Sequence, residues 1–279
     1  MPKYQIALDI GATKILGASM CGKKIITKIK KPTQSKAGKI KTLANINKVI
    51  ENLLIPNTKL IKIGIGIAGQ VDNKTGIILS TGNFDKSFQN VKLAESLKKK
   101  YKCSVNIDND VKCFLAAEMK YGVGRSFKNV IGLTFGTGIG GAIMENGELK
   151  RGMNNTAGEF GHMKISGHWL GSPPMCGCGE KYCWESMASG KAWQKLAKKY
   201  NKNKANEIII YNIVTGLLNI CYAFNPEVII LGGGLMEHPD MLPKIKKEFN
   251  SRCQFPWFKK VKLLKPSLKD EAILLGSLL

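Results

Sequence analysis

The chain has 279 residues, 44% of them hydrophobic, and a formal charge of +23. That length supports one or two packed domains, and no apolar run approaches the roughly 20 residues of a membrane helix. Only Arg125, Arg151 and Arg252 are arginines and the many lysines are scattered, so the charge reads as a solvated surface that draws anions. A nucleic-acid patch would favour the bidentate arginine fork, and no nucleic-acid partner is expected.

Met1-Pro2-Lys3-Tyr4-Gln5 leads straight into a strand-like run. It lacks the apolar stretch and cleavage site of a signal peptide, which reads as a soluble, cytoplasmic chain with no membrane partner. Residues 4–10, 14–20 and 24–30 read as strands separated by glycine turns, followed by helical spacing over 39–54. Residues 62–68 form another strand, 91–101 a helix and 104–107 a strand. Asp110–Tyr121 is helical, with Val111, Leu115, Ala116 and Met119 on one face, and Gly122-Val123-Gly124 ends it.

The pattern then restarts. Residues 129–135 and 141–145 are strands around a glycine turn, and Asn146-Gly147 is a hairpin signal. An irregular region follows, then a long helix over 205–224, a buried-type strand over 228–231 and a helix over 241–249. A strand over 261–264 and a helix over 270–278 close the chain. Strand, glycine turn and strand thus open two stretches of alternating helices and strands. The expectation is two α/β lobes of related plan with a ligand between them. They divide as a small lobe over 1–112 and a large one over 113–269, with the helix at 270–279 free to pack back on the first.

Asp9-Ile10-Gly11-Ala12-Thr13-Lys14 joins two strands. Gly11 permits a tight turn with exposed N–H groups, Thr13 offers a hydroxyl, Lys14 a cation, and Asp9 can orient Mg²⁺ through water. An ordinary polar hairpin is the plain alternative. Gly136-Thr137-Gly138-Ile139-Gly140-Gly141 matches the dinucleotide pattern G-x-G-x-x-G. That fingerprint must open a helix, whereas here a strand follows, so the reading is rejected. Two strand–turn–strand loops suit the phosphates of a nucleoside triphosphate. Gly232-Gly233-Gly234 adds a third close-approach point, suited to an adenosine, or else a plain strand-to-helix turn.

Asp108-Asn109-Asp110 precedes a helix. Either carboxylate could simply cap it; alternatively one takes the proton from an attacking hydroxyl. His162 with Cys176, Cys178 and Cys183 makes a tetrahedral Zn²⁺ set. Four protein ligands leave no open position, so the metal is structural and pins the loop that carries Glu159 and Glu185. His168 is a competing ligand, and His238 reads as surface.

Together these motifs resemble the ROK family of repressors and sugar kinases, within the two-lobed actin-like ATPase (RNase H-like) fold with its duplicated βββαβα plan. The resemblance runs through Asp9-to-Lys14, residues 64–72, Asn109-Asp110, residues 136–141, 157–162, 176–185, 231–234 and Leu275-Gly276. It implies an ATP-dependent hexose kinase with Asp110 as base. Asn83, Asn109, Glu159, His162 and Glu185 would hold sugar hydroxyls, with the Gly69 backbone alongside. Gly136, Thr137, Gly138, Gly140, Gly233 and Gly234 would hold the nucleotide with Asp9, Gly11, Thr13 and Lys14. His162 would face sugar with one ring nitrogen and zinc with the other. A homodimer or homotetramer is also implied.

Four positions depart from the pattern. Tyr182 replaces a glycine before the last zinc cysteine, Lys112 stands where asparagine is frequent, and Ala142 replaces a third glycine. Residues 166–175 form a longer loop carrying Trp169, which either stacks on sugar or sits at the surface. None removes a catalytic group. Glucose is the first expected sugar, with N-acetylmannosamine, N-acetylglucosamine and fructose open. A sugar-responsive repressor would carry an N-terminal helix-turn-helix, for which a strand starting at Tyr4 leaves no room. A sensor without chemistry would lack the base or the phosphate glycines.

Overall fold

A computed structural model describes residues 1–279. Two compact units form: residues 1–117, 152–156 and 268–279 make the first, and 118–151 with 157–267 the second.

The first unit opens with an antiparallel meander of β1 (Lys3–Ile10), β2 (Lys14–Cys21) and β3 (Lys24–Pro32). Helix α1 (Gly38–Glu51) then returns the chain to β4 (Lys59–Ile67). A small antiparallel sheet follows, of β5 (Gln70–Asp72), β6 (Ile77–Ser80) and β7 (Val91–Lys92). Helix α2 (Leu93–Tyr101), β8 (Ser104–Asn109) and α3 (Asp110–Tyr121) complete the run. The main sheet has order β3-β2-β1-β4-β8, with β1, β4 and β8 parallel.

That parallelism positions the chemistry, because the C-terminal ends of β1, β4 and β8 share one edge. Asp9 pairs with Gly66, and Gly66 with Asp108, so the three lie in one row. β1 is buried along nearly its whole length, as expected for a strand covered on both faces. One face packs on Ile46, Val49 and Ile50 of α1.

The second unit repeats the plan. Its strands are β9 (Val130–Phe135), β10 (Ile139–Glu145) and β11 (Glu148–Lys150), then β12 (Val228–Gly232) and β13 (Lys262–Leu264). Their order, β11-β10-β9-β12-β13, reproduces that of the first sheet. The helices are α4 (Trp184–Ala188), α5 (Gly190–Lys199), α6 (Lys202–Phe224) and α7 (Met241–Arg252). By length and mean hydropathy of 1.5, α6 passes as a membrane span, contrary to the sequence expectation of no such run. Its apolar residues are the core of this unit: Ile209, Ile213, Val214 and Leu217 are buried against Trp184 and the sheet. Finally α8 (Ala272–Ser277) crosses back and packs on β1 and β4.

Two boundaries differ from the sequence reading. A division after residue 112 would cut α3 inside its first turn, whereas the first unit keeps that helix to Ala117. Residues 152–156, read as part of the large lobe, belong to the first unit because Asn155 is hydrogen-bonded there. Residues 70–92 and 184–199 hold elements too short or too polar to show a period.

Candidate active site

In the first unit, Asn109 does the capping that the sequence left to Asp108 or Asp110. Its Oδ1 accepts from the N–H groups of Val111 (3.0 Å) and Lys112 (3.2 Å), satisfying the orphan donors of α3. Its Nδ2 donates to the Gly69 carbonyl at 3.1 Å. This fixes the loop after β4 to the helix start. Asp108 Oδ1 accepts from Asn109 N–H (2.8 Å) and Asn155 Nδ2 (3.2 Å). Asp110 is the first residue of α3, with Oδ1 2.9 Å from Val111 N.

Asp9 lies near the end of β1, half-buried. Burial pushes its carboxyl up to about 7, the Asp110 carboxylate and Asp270 add to the rise, and Lys14 opposes it. Two acidic groups close enough to oppose each other's ionisation, beside a tight turn, suit a dication or a shared proton. The turn itself is closed by Gly11 N–H on Lys14 O (3.0 Å) and by Thr33 Oγ1 on Gly11 O (2.6 Å). Thr13 and Lys14 are exposed. Asn83 is also exposed, in the turn after β6, with its carbonyl accepting from Ser35 Oγ at 3.1 Å.

In the second unit, the glycine turn joins β9 to β10 as a hairpin, closed by Gly136 N–H on Gly138 O at 3.0 Å. Glu185 Oε2 accepts from Ile139 N–H at 2.9 Å. A Cβ on Gly138 would run into that carboxylate, which explains glycine here. The same turn meets the start of α5, where Gly190 N–H donates to Gly136 O at 2.8 Å. Ser189 caps this helix through Ala192 N–H, so the positive end of its dipole adjoins the turn. Gly233 has φ +88°, and a Cβ on it would lie 2.6 Å from Phe135 N. It thus lets the chain after β12 press on the end of β9; Gly234 beside it faces open space. Thr137 and Glu159 are exposed, and Gly140 is half-buried in β10.

His162, Cys176, Cys178 and Cys183 converge, with all donor atoms within 4.8 Å of one another. His162 Nδ1 is 3.6 Å from Cys176 Sγ, and Cys178 Sγ is 3.6 Å from Cys183 Sγ. Tetrahedral zinc, with bonds of about 2.0 Å to nitrogen and 2.3 Å to sulfur, needs edges of about 3.5 and 3.8 Å. The four side chains therefore fit the ion. The backbone N–H of Glu180 brings the Cys178 thiol down to about 7, while burial pushes Cys176 up to about 12 and raises Cys183. A bound dication would hold all three as thiolates. Cys176 Sγ is also 3.9 Å from Glu185 Oε1, so one carboxylate touches both the cysteine cluster and the glycine turn.

Three loop positions are clarified. His168 is not among the clustered donors; it stacks on Tyr211 with ring centroids 3.6 Å apart, and its N–H donates to Asn212. Trp169 packs, partly buried, against the core of the second unit. Tyr182 adopts φ +64°, the left-handed conformation that glycine takes without strain. The Glu185–Ile139 bond and the α5 cap were missed in the sequence. Ser189-Gly190 before a helical run was the available signal for the cap, whereas the bond spans 46 positions and leaves no local trace.

The ROK family matches residues 5–279. A glucokinase of Thermotoga maritima is 27% identical over 87% of this chain and 86% of its own length. A xylose repressor of Bacillus subtilis is 30% identical over 78% of this chain, which spans 60% of that protein. The crystal structure of a ROK family glucokinase from Streptomyces griseus, in complex with glucose and AMPPNP, superposes with a TM-score of 0.84. It is 25% identical and covers 98% of this chain and 97% of its own. A family match across almost every residue, over two sheets of the same order, makes this chain a member of the ROK family.

Proposed function

We propose that the chain transfers the γ-phosphoryl group of ATP to a hexose hydroxyl, converting glucose to glucose 6-phosphate. An N-acetylhexosamine or fructose is the alternative acceptor. The observation that carries this reading is the placement of Asp110 at the start of α3, a residue whose charge opposes the ionisation of Asp9 across the strand ends. Asp110 accepts the proton of the attacking hydroxyl, and Asp9 would hold a Mg²⁺ ion, which would offset the phosphate charge. The turns at Gly11–Lys14 and Gly136–Gly140 cradle the phosphates, with Thr13, Lys14 and Thr137. Gly233 and Gly234 leave room for the adenosine. In such transfers most of the catalysis is positioning and charge stabilisation, so one base and fixed donors suffice.

Asn83, Asn109, Glu159, His162 and Glu185 hold the sugar hydroxyls, with the Gly69 backbone. Nδ1 of His162 faces the cysteines, which leaves Nε2 for the sugar. His162, Cys176, Cys178 and Cys183 would hold a structural zinc, which would fix the imidazole and anchor the loop between Glu159 and Glu185. The protein works in the cytoplasm, where ATP and reduced thiols are at hand, as a homodimer or homotetramer. Incubating the protein with Mg²⁺·ATP and a panel of hexoses, and following ADP release, tests the reading. Sugar binding without ADP release from any member would favour a sensor instead.

A further inference from the structure

A lysine buried in the first turn of α3 needs a reason. Lys112 is 3% exposed, and its charge sits at the positive end of the helix dipole, where a cation is disfavoured on both counts. Its ammonium donates to the Asn155 carbonyl at 2.8 Å. Asn155 is itself 6% exposed and lies at φ +58°, a left-handed conformation that asparagine tolerates better than most residues. Its amide donates to Val71 O at 2.7 Å and to Asp108 Oδ1 at 3.2 Å. One residue of the 152–156 segment thus grips β5 through Val71, β8 through Asp108 and α3 through Lys112. All three contacts lie in the first unit, and two of the gripped residues, Asp108 and Lys112, lie two positions to either side of Asp110.

We propose that Lys112 and Asn155 form a clasp that positions Asp110: Asn155 ties the end of β8 to β5, and Lys112 locks the first turn of α3 to Asn155. An ammonium donor holds a carbonyl more strongly than a neutral donor of similar reach. Both are positioning residues, since neither need touch substrate. The clasp rests on Asp110 being the base of the kinase reaction. A base displaced by about 1 Å from a hydroxyl that must attack in line loses about 10²-fold in rate.

Lys112→Met keeps the apolar stem as far as Cε and removes the ammonium with its hydrogen bonds. Asn155→Gly keeps the left-handed backbone and its carbonyl but removes the amide grip. Each variant should lower kcat at least tenfold while the KM for sugar and for ATP stays within about twofold, the signature of an interaction felt in the transition state. Hydrogen exchange read by mass spectrometry should show faster exchange over residues 108–112 and 152–156 in both. Should Lys112→Met fail to fold, Asn155→Gly decides. Unchanged kcat in the folded variants, a loss confined to KM, or unchanged exchange in those segments overturns the clasp. Wild type that releases no ADP with any hexose refutes the kinase reading instead, and exchange then decides the clasp by itself.

Discussion

Replacing Asp9 by asparagine removes a carboxylate whose titration has moved from 3.8 to about 7. Between those values the folded protein holds a proton that the unfolded chain has released. The stability associated with that proton is complete below the unfolded value and is lost as pH rises through about 7. The slope is about 1.4 kcal/mol per pH unit and halves as pH nears 7, so this group alone costs wild type about 2 kcal/mol between pH 5 and pH 7. Asp9 is half-buried, so solvent makes that figure an upper bound. Asparagine has no proton to lose. At about 2–4 °C per kcal/mol, the melting temperature of Asp9→Asn should gain on wild type by at most about 4–8 °C over that interval. Differential scanning fluorimetry of both proteins from pH 5 to pH 8, without nucleotide, reads the difference. Mg²⁺ with a non-hydrolysable ATP analogue should shrink the gap, because a dication favours the ionised carboxylate that only wild type has. Melting curves that stay parallel across the series would refute the argument.

Asp110→Asn should abolish turnover while sugar still binds by calorimetry; activity above about 1% of wild type would exclude Asp110 as the base, since losing a general base costs about 10²–10⁴-fold. Purified wild type should carry one zinc per chain by elemental analysis, and Cys178→Ser should lose both the metal and several degrees of thermal stability. Wild type without zinc contradicts the assignment. Tyr182→Gly should raise the melting temperature slightly, because a left-handed non-glycine residue costs about 1 kcal/mol, offset in part by the extra freedom of glycine in the unfolded chain. A drop of several degrees would mean that the half-exposed tyrosine ring contributes more by packing than its backbone costs.

Local chemistry was readable in the chain and distant pairing was not. The turn at Asp9-to-Lys14, the helix start at Asp110 and the cysteine spacing each announce themselves within a few residues, because turns, caps and metal knuckles are built from neighbours. The repeat of strand, turn and strand also showed, since β1 and β9 are long and apolar enough for their period to register. The sheet of β5, β6 and β7 did not, as strands of two to four residues have no period to display. Nor did Asn155, whose polar context reads as loop and whose partners Val71 and Asp108 lie 84 and 47 positions away. Capping by Asn109 rather than either aspartate turned on which side chain faced the helix, and composition does not separate three adjacent residues that can all cap.

The seat of α8 on the first sheet bears on the order in which the protein can finish folding. Gly64 has no side chain because the backbone of Ser277 passes over it, and Gly66 lies under Ile273. Gly276 in turn lets the helix rest on the backbone of Cys113. On a ribosome the strands carrying Asp9 and Asp108 emerge ahead of the second unit, yet the helix that covers them is made after it. The first unit to be synthesised is therefore the last to close, and its apolar face waits through the whole translation of the second. Nascent chains stalled before residue 268 should bind chaperones through that face, and a C-terminal truncation of a dozen residues should damage the N-terminal half of the protein more than the half it was cut from.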